Sequence, residues 1–140
     1  MAPPLLLERP AGQQIAVAVG GPVVAGIICG IVLGINGTAY TILTLVLVLG
    51  GIAGGYEHPN ADEGAVRGLC SGLVFGTLIV ATSAVSGMHP DAKLPHPPGF
   101  LPVVTGFVTI FLGAFGGWLR SRHERKVRER DRLSARASAA

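Results

Sequence analysis

Three features of the 140-residue chain predict an all-α fold, a four-helix transmembrane bundle. Charged residues make up only 14% of it, against roughly 25% in soluble domains. Hydrophobic residues reach 49%, and mean hydropathy is +0.55. The charges are also segregated. None falls between Arg9 and Glu57, between Arg67 and Asp91, or between Lys93 and Arg120, which leaves uncharged runs of 47, 23 and 26 residues. This balance argues against a soluble enzyme, a disordered chain or a disulfide scaffold.

A spanning helix needs about 20 apolar residues, because it rises about 1.5 Å per residue across a hydrocarbon layer of about 30 Å. The first run is long enough for two helices, and Asn36-Gly37-Thr38 is its natural turn. The predicted spans are residues 14–35, 38–56, 64–87 and 100–119. They divide the chain into an N-terminal segment (1–13), a transmembrane domain (14–119) and a basic tail (120–140). A secretory signal is a poor alternative, since Arg9 is balanced by Glu8 and the apolar stretch behind it is too long.

In the first span, Pro22 predicts a kink that frees carbonyls around Ala18. In the stretch MHPDAKLPHPPG (residues 88–99), four prolines predict an extended loop. Pro102 suits the first turn of the last span.

Four spans put both termini and the middle loop on one side. That side carries Arg9, Arg67 and eight bases from Arg120 to Arg136, and the other side carries only Lys93. Bases near span ends stay cytoplasmic, so both termini are expected inside. The expected location is a bacterial inner membrane.

Glycine supplies 21 residues, about twice its usual share of ~7%. Inside a bilayer, helices associate through close contact between small residues four apart. Gly26, Gly30 and Gly34 form one such ridge, Gly64, Gly68, Gly72 and Gly76 a second, and Gly113 and Gly117 belong to a third. Ridges of this kind serve the fold or a homo-oligomer interface. Residues 26–34 (GIICGIVLG) also resemble 68–76 (GLCSGLVFG), and 51–56 (GIAGGY) resemble 113–118 (GAFGGW). Paired in order they suggest two similar helical hairpins, although the offsets of 42 and 62 residues differ.

No acid, base or histidine is expected at membrane depth, which argues against a proton relay. Glu57, His58, Asp62 and Glu63 could ligate a divalent metal, but their spacing matches no named site. The ordinary reading has Asp62 as N-cap and both acids at a helix start, with Glu57 and Arg67 paired across the hairpin. His89, Asp91 and His96 are read as a solvated loop rather than a zinc or copper site. Cys29 and Cys70 are read as small packing residues in mid-bundle. No catalytic motif, metal site or cofactor motif is present.

The tail RSRHERKVRERDRLSAR holds eight bases and three acids, with no Pro or Gly to stop the last helix continuing through it. Arg120, Arg122, Arg125, Lys126 and Arg128 are the expected contacts to anionic lipid headgroups, with Trp118 anchoring at the interface. The tail has no aromatic to stack on bases, so nucleic acid is not an expected partner.

The pattern Gly50–Gly55, then the acidic loop 57–63, then Ala65-Val66-Arg67-Gly68-Leu69 through Gly72-Leu73 resembles a loose class of small four-span prokaryotic membrane proteins with glycine-rich hairpins. The resemblance spans about residues 40–120. It implies the fold and no activity. The expected function is a structural or accessory membrane protein that self-associates and has no catalytic activity. The alternative is a small oligomeric transporter or channel for ions or small solutes.

Overall fold

A computed structural model describes residues 10–138, so Arg9 and most of the N-terminal segment lie outside the described residues. The described chain is helical, with four helices long and apolar enough to cross a membrane: Gly12–Leu33, Gly37–Tyr56, Ala61–Ser86 and Pro98–Ala137. It is a multi-pass membrane protein.

The first span is a composite rod. Helix α1 (Ala11–Ile15) passes through a π turn (Ala16–Gly20) into α2 (Gly21–Leu33). The π turn sits directly before Pro22, so the predicted disturbance is real and takes the form of a widened turn. Asn36 then caps α3 (Gly37–Tyr56), its side chain accepting from the Ala39 N–H at 2.9 Å.

Helix α4 (Ala61–Ser86) starts three residues before its predicted boundary. Its cap is Asn60, not Asp62. Asn60 Oδ1 accepts from the Glu63 N–H at 2.9 Å, and its amide nitrogen returns a bond to Glu63 Oε1 at 3.1 Å. This reciprocal pair works like a capping box, and it leaves Asp62 in the first turn. Gly87, at φ 64°, ends the helix in the left-handed conformation that glycine adopts without strain.

A short 3₁₀ turn (Pro98–Phe100) leads into α5 (Leu101–Ser138), with Pro102 in its first turn. The fourth helix does not stop at residue 119. It runs 38 residues without a break, about 57 Å at 1.5 Å per residue.

The seams fix the topology. Gly26 approaches Phe75 and Leu78, and Gly30 approaches Ile79 and Thr82, so α2 and α4 run parallel. Gly64 meets Gly113 while Gly76 meets Pro102, so α4 and α5 run antiparallel, and they share the largest interface. Gly51 lies near Leu112 and Gly116 near Ile52 and Tyr56, so α3 runs parallel to α5. The result is an up-down-up-down bundle with α4 in contact with every other span. The sealed apolar core of Cys29, Leu33, Phe75, Ile79 and Leu101 lies toward the end where α2 meets α3. Outward-facing Ile42, Leu45, Val46 and Leu49 leave α3 an apolar exterior, a surface that a bilayer solvates.

Candidate functional site

The glycines sort into two groups. In the first, a neighbour occupies the space that a side chain would need. Added Cβ atoms at Gly64 and Gly68 would strike the Gly113 and Thr109 carbonyls, and at Gly72 and Gly76 the Thr109 and Thr105 hydroxyls. Gly113 faces Gly64 and Gly68, Gly117 faces Asn60 and Ala61, and Gly34 faces Met88. All nine glycines of the predicted ridges therefore face a neighbour within this chain. Gly55 and Gly116 belong with them: their Cβ atoms would meet Gly113 and Ile52. The two related stretches do different work, since 26–34 pack mainly against α4 while 68–76 pack against α5.

The close α4–α5 approach exposes backbone carbonyls that two threonines use. Thr105 Oγ1 lies 2.7 Å from Gly72 O, and Thr109 Oγ1 lies 2.7 Å from Gly68 O. Each also has a carbonyl of its own helix in reach, at 3.0 Å and 2.7 Å. Such interhelical bonds contribute about 0.6–2 kcal/mol each in a membrane.

The second group of glycines leaves space open. A Cβ at Gly21 or Gly50 meets nothing within 4 Å, at Gly51 only Leu112 at 3.8 Å, and at Gly54 only Arg67 Nε at 4.0 Å. These glycines line a cavity of about 280 Å³ to which all four spans contribute. Val17, Pro22, Ala25, Leu47, Val48 and Phe75 make its apolar wall. Among the described residues Arg67 is the one charged residue in the lining, and Ser71 and Thr109 supply hydroxyls.

Arg67 lies toward the α3–α4 loop end of its span and lines this cavity. It is the seventh residue of α4, about 9 Å beyond the helix start. Its guanidinium Nη2 donates to the Val17 carbonyl at 3.3 Å. The π turn explains that acceptor. A π turn pairs each carbonyl with the N–H five residues on. For Val17 that residue is Pro22, which has no N–H. Proline, π turn and arginine thus form one unit spanning α2 and α4.

At the rim beside this cavity lies the α3–α4 loop. His58 is 9% exposed, with Nδ1 at 3.7 Å from Glu63 Oε2 and Nε2 buried without a hydrogen-bond partner among the described residues. Burial lowers its pKa below the ordinary 6.5, and the Arg67 charge lowers it further, against the opposing pull of Glu63 and Glu57. Among the described residues, no group of three metal-ligating side chains converges, at this loop or elsewhere.

Of the five predicted headgroup residues, Arg120 belongs elsewhere. It is 6% exposed, pairs with Glu124 at 2.8 Å, donates to the Tyr56 carbonyl at 3.4 Å and lies over the Tyr56 ring. It seals the end of α3, where a cation meets the negative end of the helix dipole. Arg122, Arg125, Lys126 and Arg128 are exposed along the extended α5, with Arg122 5.0 Å from the Trp118 ring centroid. Of the cysteines, Cys29 is buried with Thr44 Oγ1 at 3.8 Å, while Cys70 is exposed rather than packed.

At the opposite end, Asp91 acts as a clip that the sequence reading missed. Its N–H donates to Leu33 O at 3.0 Å, and its carboxylate accepts from the Gly37 N–H at 2.7 Å. It joins the end of α2 to the start of α3. No spacing rule points across 54 residues to such a contact. No protein-family profile, curated protein or solved structure matches this chain.

Proposed function

We propose that this is a membrane-embedded accessory protein whose four spans anchor and orient a rigid basic arm. The observation that carries the reading is the unbroken course of α5 from the bundle to Ser138. Past Arg120, 18 further residues extend the helix by about 27 Å. The excess of bases at this end of the bundle supports a cytoplasmic arm and cytoplasmic termini in a bacterial inner membrane. With a Debye length of about 8 Å at physiological salt, Arg122, Arg125 and Lys126 lie near enough to Arg120 to feel anionic headgroups. Arg128, Arg130, Arg132 and Arg136 reach farther and offer charge to an acidic surface in the cytoplasm. The glycine ridges are taken up inside the chain, which supports a single bundle, rather than a glycine-sealed oligomer, as the unit that carries the arm.

Spin labels at Arg122 and Ser134 in nanodiscs test this reading. Anionic lipid should slow the label at 122 in a salt-sensitive way and leave the label at 134 mobile. Equal immersion of both labels would mean that the arm lies flat on the membrane. The rival reading, a small transporter, draws on the cavity between the spans. Solute flux in proteoliposomes above that of empty vesicles would favour it.

A further inference from the structure

We propose that the outer arm is a docking face for an acidic helix of a cytoplasmic protein, with Arg125, Arg128, Arg132 and Arg136 set against its carboxylates. The inference rests on the arm reading above and names the class of partner that the arm takes.

The four arginines stand at i, i+3, i+7 and i+11, so they share one side of α5. From Arg125 to Arg136 the row is about 16 Å long. It is open, since all four residues are exposed. Arg125 Nε donates to the Ser121 carbonyl at 3.3 Å. Arg128 lies 4.0 Å from Glu124, whose other oxygen holds Arg120 at 2.8 Å. Arg132 and Arg136 have no ion pair among the described residues.

Beyond Arg128 the helix has little of its own to hold it. Residues 129–137 are exposed. Glu129 and Asp131 form no i, i+4 ion pair, because the residues four on are Leu133 and Ala135. A helix that is polar all round gains its support from such pairs or from bridging to a second body. The unbroken course of α5 to Ser138 thus presents a face along which a partner can pack.

The acids select the class of partner. Glu129 is four residues after Arg125 and three before Arg132, and Asp131 is three after Arg128, so both stand beside the row. A nucleic acid carries phosphate at every step and would meet these carboxylates with like charge. A protein helix can place carboxylates against the arginines and its own bases against Glu129 and Asp131. Glu124-Arg125 and Asp131-Arg132 also repeat an acid–base pair at seven residues, about 10 Å or two turns, a register that a second helix matches. Anionic lipid is out of range of the outer row, because Arg128 is already about 12 Å along the helix from Arg120, against a Debye length of about 8 Å.

The test uses the full-length protein in phosphatidylcholine nanodiscs, spin-labelled at Ser134. The probe is a helical peptide with glutamates at i, i+3, i+7 and i+11 and lysines beside them. The controls are polyglutamate of the same net charge and a short DNA duplex. The probe should bind saturably, slow the label and release at high salt. It should bind at least about tenfold more tightly than either control, through its preformed helix and its lysine pairs. Arg125→Gln with Arg132→Gln should weaken the probe by about tenfold, as for two exposed ion pairs. Glu129→Gln with Asp131→Asn should weaken the probe and strengthen the duplex. Equal or tighter binding of either control would overturn the acidic helix as partner. So would probe binding that ignores the arginine pair, or that strengthens when the acids are neutralised. A label immersed in lipid before any peptide is added would overturn the arm reading and this inference with it. A mobile label that the probe leaves unchanged would overturn this inference alone.

Discussion

Two glycines of this bundle should respond to the same substitution with opposite sign. A Cβ at Gly72 would lie 2.6 Å from Thr105 O and 2.8 Å from Gly106 Cα, and backbone cannot yield as a flexible side chain can. Gly72→Ala should destabilise by about 1–3 kcal/mol, the usual cost of overpacking. Gly50 has nothing within 4 Å, so Gly50→Ala should stabilise by about 0.5–1 kcal/mol through helix propensity. Denaturant unfolding in detergent measures both, and equal effects would mean that the α4–α5 seam is looser than described. His58 makes a separate prediction. Its pKa is lowered, first by burial and then by Arg67. The unfolded chain therefore takes up a proton near the ordinary 6.5, and the folded chain does so only at lower pH. In that window the unfolded state binds more protons, so acidification from about pH 7 to about pH 5 should lower stability. The component due to His58 should vanish in His58→Gln. The residue scale is where sequence reading was least complete. Periodicity marks Gly64–Gly76 as one face, but it cannot separate glycines that close a seam from glycines that keep a cavity open. That distinction needs the neighbouring helix. Arg67 was visible as a base at a span end, while its inward aim depends on a carbonyl 50 residues away.

At the scale of elements, local chemistry was legible and long-range chemistry was not. Asn36 and Gly37 marked the α2–α3 turn correctly, because capping and turn preferences act over three or four residues. The start of α4 was misplaced by three residues because two adjacent acids drew the cap to Asp62, while Asn60 makes the reciprocal bond with Glu63. The continuation of α5 was readable from the absence of Pro and Gly after residue 119. The Asp91 clip was not, since the proline-rich loop offers no periodic signal and its partners lie in another hairpin. Asp91→Ala removes the carboxylate from the Gly37 N–H and should cost about 1–2 kcal/mol, as for a hydrogen bond to a charged group. Hydrogen exchange at Gly37 and its helical neighbours should rise in that variant while exchange in the α4–α5 seam stays unchanged. Uniform acceleration across the bundle would show that the clip governs global unfolding and not the α2–α3 end alone.

For the whole molecule, the quantity that matters is the distribution of charge between the two ends of the bundle. The up-down-up-down order places the start of α1, the α3–α4 loop and the arm at one end, and the Asp91 loop with Lys93 at the other. Among the described residues, the first end holds nine of the ten bases, and Arg9 precedes it in the sequence. Deleting residues 126–140 removes Lys126, Arg128, Arg130, Arg132 and Arg136, which leaves five bases against Lys93. The same asymmetry persists, and Arg120 stays in place on Tyr56 and Glu124, so the truncated protein should fold and keep its orientation. Adding Arg122→Gln and Arg125→Gln to the truncation leaves Arg9, Arg67 and Arg120 against Lys93. Arg67 lies inside the bundle and Arg120 under the end of α3, so their influence on insertion should fall, and the population should split between two orientations. Thiol labelling measures the split. Cys70 is replaced because it is exposed, and single cysteines are placed at Lys93 and Ser121. Labelling of position 93 only from outside, in the full chain and in the simple truncation, is the expected result. Labelling of position 121 from outside in the full chain would mean that the arm is not cytoplasmic, and the accessory reading built on it would fail with it.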